Sequence, residues 1–292
     1  MSRFGIIGKG AWGQALGQTF AANGNPVAYW TRDADPAILA DASYLIAVVP
    51  AQQTRQVLTQ LGPALPSDIP LILTAKGLEQ GTLLRQSEIA AAILPDHPLA
   101  ILSGPSFATD LAASLPTAVT LATTKDGNRL QAALSTPSLR PYLSDDLTGV
   151  ELGGALKNVI AIACGAAIGA GLGESARAAL MARGFSELTR IGLSLGAKLE
   201  TLSGLSGLGD LTLTATSLQS RNFRYGVALG ETGQAPRTGT YEGAASASAA
   251  HALAHRLGVD APIIETVAAL VAGKLTVQEA IERLMTRPLR RE

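Results

Sequence analysis

The sequence predicts an α/β fold in two parts: a doubly wound, mostly parallel sheet over residues 1–147, then an all-α domain over residues 148–292. Three observations carry that reading. Short apolar runs broken by Gly or Pro alternate with helix-like segments through the first half, the pattern of buried parallel strands joined by crossover helices. A glycine-rich turn, Gly8-Lys9-Gly10-Ala11-Trp12-Gly13, links the first apolar run to an Ala/Leu-rich segment. After about residue 147 strand-like runs vanish, and Ala, Gly and Leu at helical spacing take over.

In chain order, strands are expected at Phe4–Ile7, Val27–Trp30, Tyr44–Val49, Leu71–Thr74 and Ala100–Ser103. Helices are expected between several of them, around Gln14–Asn23, Thr54–Leu61 and Leu83–Leu94. Ala118–Thr123 reads as one further strand, antiparallel at the sheet edge. Residues 152–173 are the most membrane-like stretch but contain Lys157 and Asn158, so they read as a helix buried in a soluble protein. In Phe185–Leu195 the apolar residues Phe185, Leu188, Ile191 and Leu195 line one helix face. Residues 246–257 and 262–286 also read as helices. With no repeat or low-complexity linker between the halves, the two domains are expected to pack closely around a cleft.

Composition narrows the function classes. Hydrophobic residues at 47% supply ample core for 292 residues, and 23 basic residues balance 23 acidic ones. That balance argues against a nucleic-acid binder or a polybasic membrane-surface protein. The single cysteine, Cys164, rules out an intrachain disulfide and reads as a buried, inert thiol. The three histidines, His97, His251 and His255, are too scattered for most catalytic metal sites, and no metal is expected. The N-terminus lacks the design of a signal peptide, so a cytoplasmic location is expected, without stable membrane insertion.

The glycine turn sits between a strand and a helix, the context in which G-x-G-x-x-G binds a dinucleotide. Gly8 permits the tight turn, Gly10 lets a pyrophosphate approach the backbone, and Gly13 lets helix and strand pack closely. Ala11 and Trp12 supply first-turn amides aimed at the phosphates. About twenty residues on, an acidic residue closing the second strand would suit the free ribose hydroxyl of NAD. The sequence there is Thr31-Arg32-Asp33. Arg32 suits a 2′-phosphate, so NADP is favoured, and Asp33 leaves NAD open.

Two lysines stand out by position. Lys76 follows the apolar run Leu71–Ala75, at the carboxyl edge of a parallel strand, where open α/β sheets bind ligands. Lys157 is the only charged residue between Glu151 and Glu174. Desolvation and a nearby cation would lower its pKa toward the working range of a general acid. Either lysine also has a plain reading, as a side chain snorkelling to the surface.

Taken in order, several segments make the chain resemble the NAD(P)-dependent glycerol-3-phosphate dehydrogenases, over nearly its whole length. They are Gly8–Gly13 with Trp12, Trp30-Thr31-Arg32, Ala75-Lys76-Gly77-Leu78-Glu79, and Ser103-Gly104-Pro105-Ser106-Phe107-Ala108. Leu156-Lys157-Asn158-Val159, Gly207-Leu208-Gly209-Asp210-Leu211, Ser220-Arg221-Asn222 and Tyr241-Glu242-Gly243 complete the set. The resemblance implies a Rossmann domain for the cofactor and hydride transfer between nicotinamide and C2 of dihydroxyacetone phosphate, giving sn-glycerol 3-phosphate for phospholipid synthesis. It implies that Lys157 is the proton donor and acceptor, with Lys76 beside it on substrate and cofactor. Asp210 would orient Lys157, with Thr214 nearby. Ser220, Arg221 and Asn222 would hold the substrate phosphate, with Asn158 also on the substrate. Gly104, Ser106 and Ala108 would line the seam between substrate and nicotinamide. Arg221, Thr240 and Glu242 would reach the cofactor from the second domain. A homodimer is implied as well.

Some of these residues have plain readings: Asp210 as the N-cap of a helix starting at Leu211, Arg221 as a surface cation, Gly104-Pro105-Ser106 as a simple turn. The chain also departs from the pattern. Only Asp33–Asp41 separates Arg32 from the next strand, so the adenosine side should be more open and the sheet should lack a strand. Thr240 stands where Val is frequent. Two alternatives remain at this stage. One is a related two-domain NAD(P)-dependent dehydrogenase of hydroxy or keto acids. The other is a dinucleotide-binding sensor without turnover.

Overall fold

The computed structural model describes residues 2–236 and 238–286. Its sheet has seven strands in the order β2-β1-β3-β4-β5-β6-β7. They are β1 (Phe4–Ile7), β2 (Val27–Trp30), β3 (Tyr44–Ala47), β4 (Leu71–Leu73), β5 (Leu99–Ser103), β6 (Thr117–Thr123) and β7 (Leu139–Ser144). The first five are mutually parallel, β6 runs antiparallel to β5, and β7 is parallel to β6. Every residue of β1 and β3 is buried, which is why these strands read as unbroken apolar runs rather than alternating ones. Helices α1 (Ala11–Ala22), α2 (Thr54–Leu61), α3 (Gln86–Ile93), α4 (Ala108–Ala112) and α5 (Gly127–Leu134) connect the strands.

Two strands differ from the sequence reading. β6 is antiparallel as expected but is not the edge, because β7 lies outside it. β7 gave no apolar signal: Arg140, Tyr142 and Leu143 are exposed and Pro141 interrupts the run. Proline and charge are the usual dressing of an edge strand. At the opposite edge stands β2. Doubly wound dinucleotide folds place one more strand beyond this position. Here the chain turns after Trp30 into a short 3-10 segment, Pro36–Leu39, and goes directly to β3. Asp35 caps that segment through Ala37 N (2.9 Å), and Leu39 is fully buried. The shortened segment thus leaves β2 without an outer neighbour.

From residue 147 onward the described chain is helical. α6 (Leu147–Gly169) is the central element, capped by Asp146, whose carboxylate accepts from Gly149 N (2.7 Å). Around it lie α7 (Gly173–Ser194), α8 (Leu199–Leu202), α9 (Asp210–Thr216), α10 (Arg221–Thr232), α11 (Glu242–Arg256) and α12 (Pro262–Val271), and α13 (Val277–Met285) packs on α12. α6 is apolar all round because it is covered all round. It is long enough to cross a bilayer, but 89% of its apolar window is buried within the protein. Cys164 lies on it, buried, with its thiol pushed up to about 12 by desolvation. Within α7, Leu188 and Ile191 are buried, with Phe185 and Leu195 packed against the same core. Residues 262–286 form two helices, interrupted at Gly273 and restarted by a Thr276–Glu279 capping box. Glu187, 2% exposed, accepts from Ile263 N (2.8 Å) and Ile264 N (3.0 Å), tying α7 to the start of α12.

α6 and α10 touch through main chain. A Cβ at Gly165 would lie 2.1 Å from Phe223 O, and one at Gly226 would lie 2.1 Å from Ile162 O. Gly169 and Gly230 repeat the arrangement one turn along. In an open helix, Gly→Ala stabilises by about 1 kcal/mol. Gly165→Ala should instead destabilise, by roughly 1–3 kcal/mol from overpacking against a backbone carbonyl. Urea denaturation reads the sign directly, and a stabilised variant would disprove the main-chain contact.

Candidate active site

The glycine turn is fastened to the sheet at both flanks. Gly8, at φ +109°, donates its N–H to Trp30 O (2.9 Å). A Cβ at Gly8 would lie 2.4 Å from Val48 O, and one at Gly13 would lie 2.4 Å from Gly8 O. A Cβ at Gly10, in contrast, meets nothing within 4 Å. The turn is therefore tight everywhere except above Gly10, where space opens toward solvent. α1 starts at Ala11 and Trp12 with no side-chain cap and no acidic residue in its first turn. Its first amides and positive dipole end are left for an anion. These features fit the pyrophosphate of a nicotinamide dinucleotide. Arg32 lies in the exposed turn after β2, and Thr240 is exposed just before α11.

Three further elements bring their charges together. Lys76 extends from the loop after β4, Lys157 from the middle of α6 and Asp210 from the first turn of α9. Lys157 Nζ donates to Asp210 Oδ1 (2.9 Å) and to Thr214 Oγ1 (2.6 Å). Lys76 Nζ donates to Asp210 Oδ2 (2.7 Å) and to Gly104 O (3.0 Å). Thr214 Oγ1 in turn donates to Asp210 Oδ1 (3.2 Å). Asp210 is 1% exposed and Lys157 5%. Burial would push the Asp210 carboxyl up, but the two ammonium groups outweigh it and hold the carboxyl below its ordinary range. Burial also dominates at Lys157: with Lys76 adding repulsion, it outweighs the attraction of Asp210 and brings the amine down to about 8.

Asp210 does not cap a helix. α9 begins at Asp210 itself, and its carboxylate is spent on the two lysines. A π-helical turn, Leu205–Gly209, precedes it and delivers it into the cluster. Gly104 sits at φ +153°, where a Cβ would lie 2.9 Å from Val119 Cα, so its carbonyl can turn toward Lys76. Ser106 Oγ also donates to Gly104 O (3.2 Å), and Ala108 opens α4 just beyond.

On the helical side, Ser220 is the N-cap of α10, its Oγ accepting from Phe223 N (3.2 Å). Arg221 is the first residue of that helix and is exposed. Asn222 is buried and accepts from Gly243 N (3.0 Å), joining α10 to α11. Asn158 is likewise buried, its side-chain amide within 3.4 Å of Lys76 O and Gly154 O. Glu242 opens α11 beside Gly243. Burial raises its pKa, against the pull of Lys76, Arg221 and Lys157 and a hydrogen bond from the Ala51 backbone.

The structure also shows support that sequence reasoning missed. Arg55 on α2 makes a paired contact with Glu79, Nε to Oε1 and Nη2 to Oε2, each 2.8 Å. Gln52 Nε2 donates to Leu78 O (2.7 Å), and Gln80 Nε2 donates to Ala245 O (2.6 Å) on α11. Together they pin the loop that carries Lys76. Nothing in the sequence set Gln52 and Arg55 apart, because α2 carries other polar residues, Gln56, Thr59 and Gln60, beside them.

The chain is similar to known proteins over nearly its whole length. The model of the NAD-dependent glycerol-3-phosphate dehydrogenase C-terminus matches residues 146–282, and that of the N-terminus matches residues 3–38 and 36–129. A glycerol-3-phosphate dehydrogenase (NAD(P)+) of Sphingopyxis alaskensis is 47% identical over 325 aligned residues, covering 99% of this chain and 98% of its own. That of Brucella ovis is 46% identical, covering 100% and 99%. Among solved structures, the glycerol-3-phosphate dehydrogenase of Coxiella burnetii superposes with a TM-score of 0.91 at 34% identity, covering 98% of this chain and 99% of that one. With both halves matched and the relatives aligned from end to end, this chain belongs to the NAD-dependent glycerol-3-phosphate dehydrogenase family.

Proposed function

We propose that the chain interconverts dihydroxyacetone phosphate and sn-glycerol 3-phosphate with NADP as its preferred cofactor and NAD as a possible one. The observation that carries this reading is the Lys76–Asp210–Lys157 cluster, in which one buried carboxylate is shared by two ammonium groups. Family membership supports the reaction class. The division into a cofactor domain, 1–147, and a catalytic domain, 148–292, belongs to the same proposal, as do a cytoplasmic homodimer and a role in supplying phospholipid synthesis.

Gly8–Gly13 would hold the nicotinamide cofactor, which would supply the hydride for C2 of the substrate. Lys157 supplies the proton. Its ammonium has three N–H donors, and Asp210 and Thr214 engage two of them, so the third is left for the carbonyl oxygen. Proton donation leaves the amine neutral, and Asp210 then keeps its pairing with Lys76. In the reverse direction the neutral amine takes the hydroxyl proton. Lys76 draws the oxygen end of the substrate toward the same corner. Arg221, with Ser220 and Asn222 at the start of α10, receives the phosphate. Lys76, Lys157 and Arg221 against Asp210 and Glu242 leave an excess of positive charge, which suits a phosphorylated triose better than an uncharged one. Gly104, Ser106 and Ala108 line the opposite wall, and Asn158 holds the Lys76 backbone.

Oxidation of NADPH and NADH with dihydroxyacetone phosphate, measured against a panel of 2-keto acids, tests the reading. Turnover confined to the keto acids would replace it with the hydroxy-acid alternative, and no turnover at all would favour a sensor. Lys157→Ala should lower kcat by about 10²-fold or more, as expected for a lost general acid. Because reduction needs the ammonium and oxidation the free amine, kcat/KM for reduction should fall as pH rises through about 8, and kcat/KM for oxidation should rise. Parallel pH profiles in the two directions would remove Lys157 from the proton-transfer role. Arg221→Ala should raise the KM for dihydroxyacetone phosphate far more than it lowers kcat. An unchanged KM would refute the phosphate assignment.

A further inference from the structure

We propose that Lys9 is a second cation for the adenosine 2′-phosphate and, with Arg32, sets this chain's preference for the phosphorylated dinucleotide. The proposal rests on the cofactor reading above and deepens it. Lys9 occupies the variable position between Gly8 and Gly10, so the glycine turn itself carries a positive charge. Its side chain reaches over a residue of β2. The ammonium stands 5.4 Å from the centroid of the Tyr29 ring, and Tyr29 lies on β2 in register with Ile6 of β1. The main chain around Lys9 is anchored on both sides: Gly8 N donates to Trp30 O at the end of β2, and Lys9 O accepts from Gln14 Nε2 (2.9 Å) on α1.

The end of β2 is where the adenosine ribose is read in this type of fold. β2 is an edge strand, and Thr31, Arg32 and Asp33 beyond it are exposed. Arg32 alone is a poor phosphate trap there, because the Asp33 carboxylate is its immediate neighbour. Asp35, the next carboxylate, is engaged in capping Ala37. A phosphate monoester carries about −1.5 to −2 charge at neutral pH, so a site that is neutral overall gives it little. Lys9 tips the balance to positive. Its hold on the Tyr29 face is an exposed cation–π contact, a weak tie that releases easily to an incoming phosphate.

The test is equilibrium binding, free of turnover. Intrinsic tryptophan fluorescence, from Trp12 in the glycine turn and Trp30 at the end of β2, reports titration with 2′,5′-ADP and with 5′-AMP, which differ only by the 2′-phosphate. Lys9→Ala should weaken 2′,5′-ADP roughly tenfold, the loss expected for one charge-assisted contact, and should leave 5′-AMP unchanged. Lys9→Arg should restore most of the loss. Equal weakening of both nucleotides would place Lys9 on the pyrophosphate side and overturn the proposal. No effect of Lys9→Ala while Arg32→Ala weakens 2′,5′-ADP would overturn it too, with the cofactor reading intact. If the unaltered protein binds neither nucleotide, the cofactor reading fails and takes this one with it.

Discussion

A carboxylate removed from water is costly unless its charge is met on both oxygens, and an ammonium in an apolar helix is no cheaper. Asp210 answers both problems at once, with one oxygen on Lys157 and the other on Lys76. The three residues come from three places: the loop after β4, the middle of α6 and the start of α9. No one of them could be buried in its present form without the others. The cluster therefore joins the sheet side to the helices through a shared charge. The same arithmetic leaves Lys157 with a depressed pKa, because burial and Lys76 together outweigh its one partner carboxylate.

Holding such a cluster requires its three supports to keep their places, and each has a dedicated tie. The Lys76 loop is pinned by Arg55 through Glu79 and by Gln80 through α11. α6 is tied to the sheet side by Glu151, which is buried and accepts from Ser87 N (2.7 Å) at the start of α3. Asp210 leaves a π-helical turn packed on α6, where a Cβ at Gly153 would meet Ser206 O at 2.8 Å. These ties are polar or main-chain contacts with strict geometry, unlike the apolar packing around them.

Much of this was legible beforehand, for identifiable reasons. β1 and β3 announced themselves because full burial makes a strand apolar at every position. The glycine turn did so because backbone approach excludes side chains, and Lys157 because one charge in a long apolar stretch needs a purpose. β7 was illegible because an exposed edge strand carries Pro141 and Arg140 in place of a hydrophobic run. The edge position of β2 followed from chain length, since Asp33–Asp41 is too short for a helix and a strand. The partners themselves lay beyond sequence reading. Thr214 meets Lys157, and Arg55 meets Glu79, only because distant segments are folded together. Asp210 as a helix cap was chemically reasonable; what decides against it is the pair of lysines waiting for its oxygens.

The glycine contact between α6 and α10 has a consequence for the placement of two cations. Lys157 rides on one of these helices and Arg221 opens the other. Because peptide groups of the two helices abut, no change of rotamer along their seam can draw them apart. What the contact fixes is the spacing of the two backbones from which Lys157 and Arg221 project. Any difference in reach between the two cations must therefore come from their side chains and not from parting of the helices.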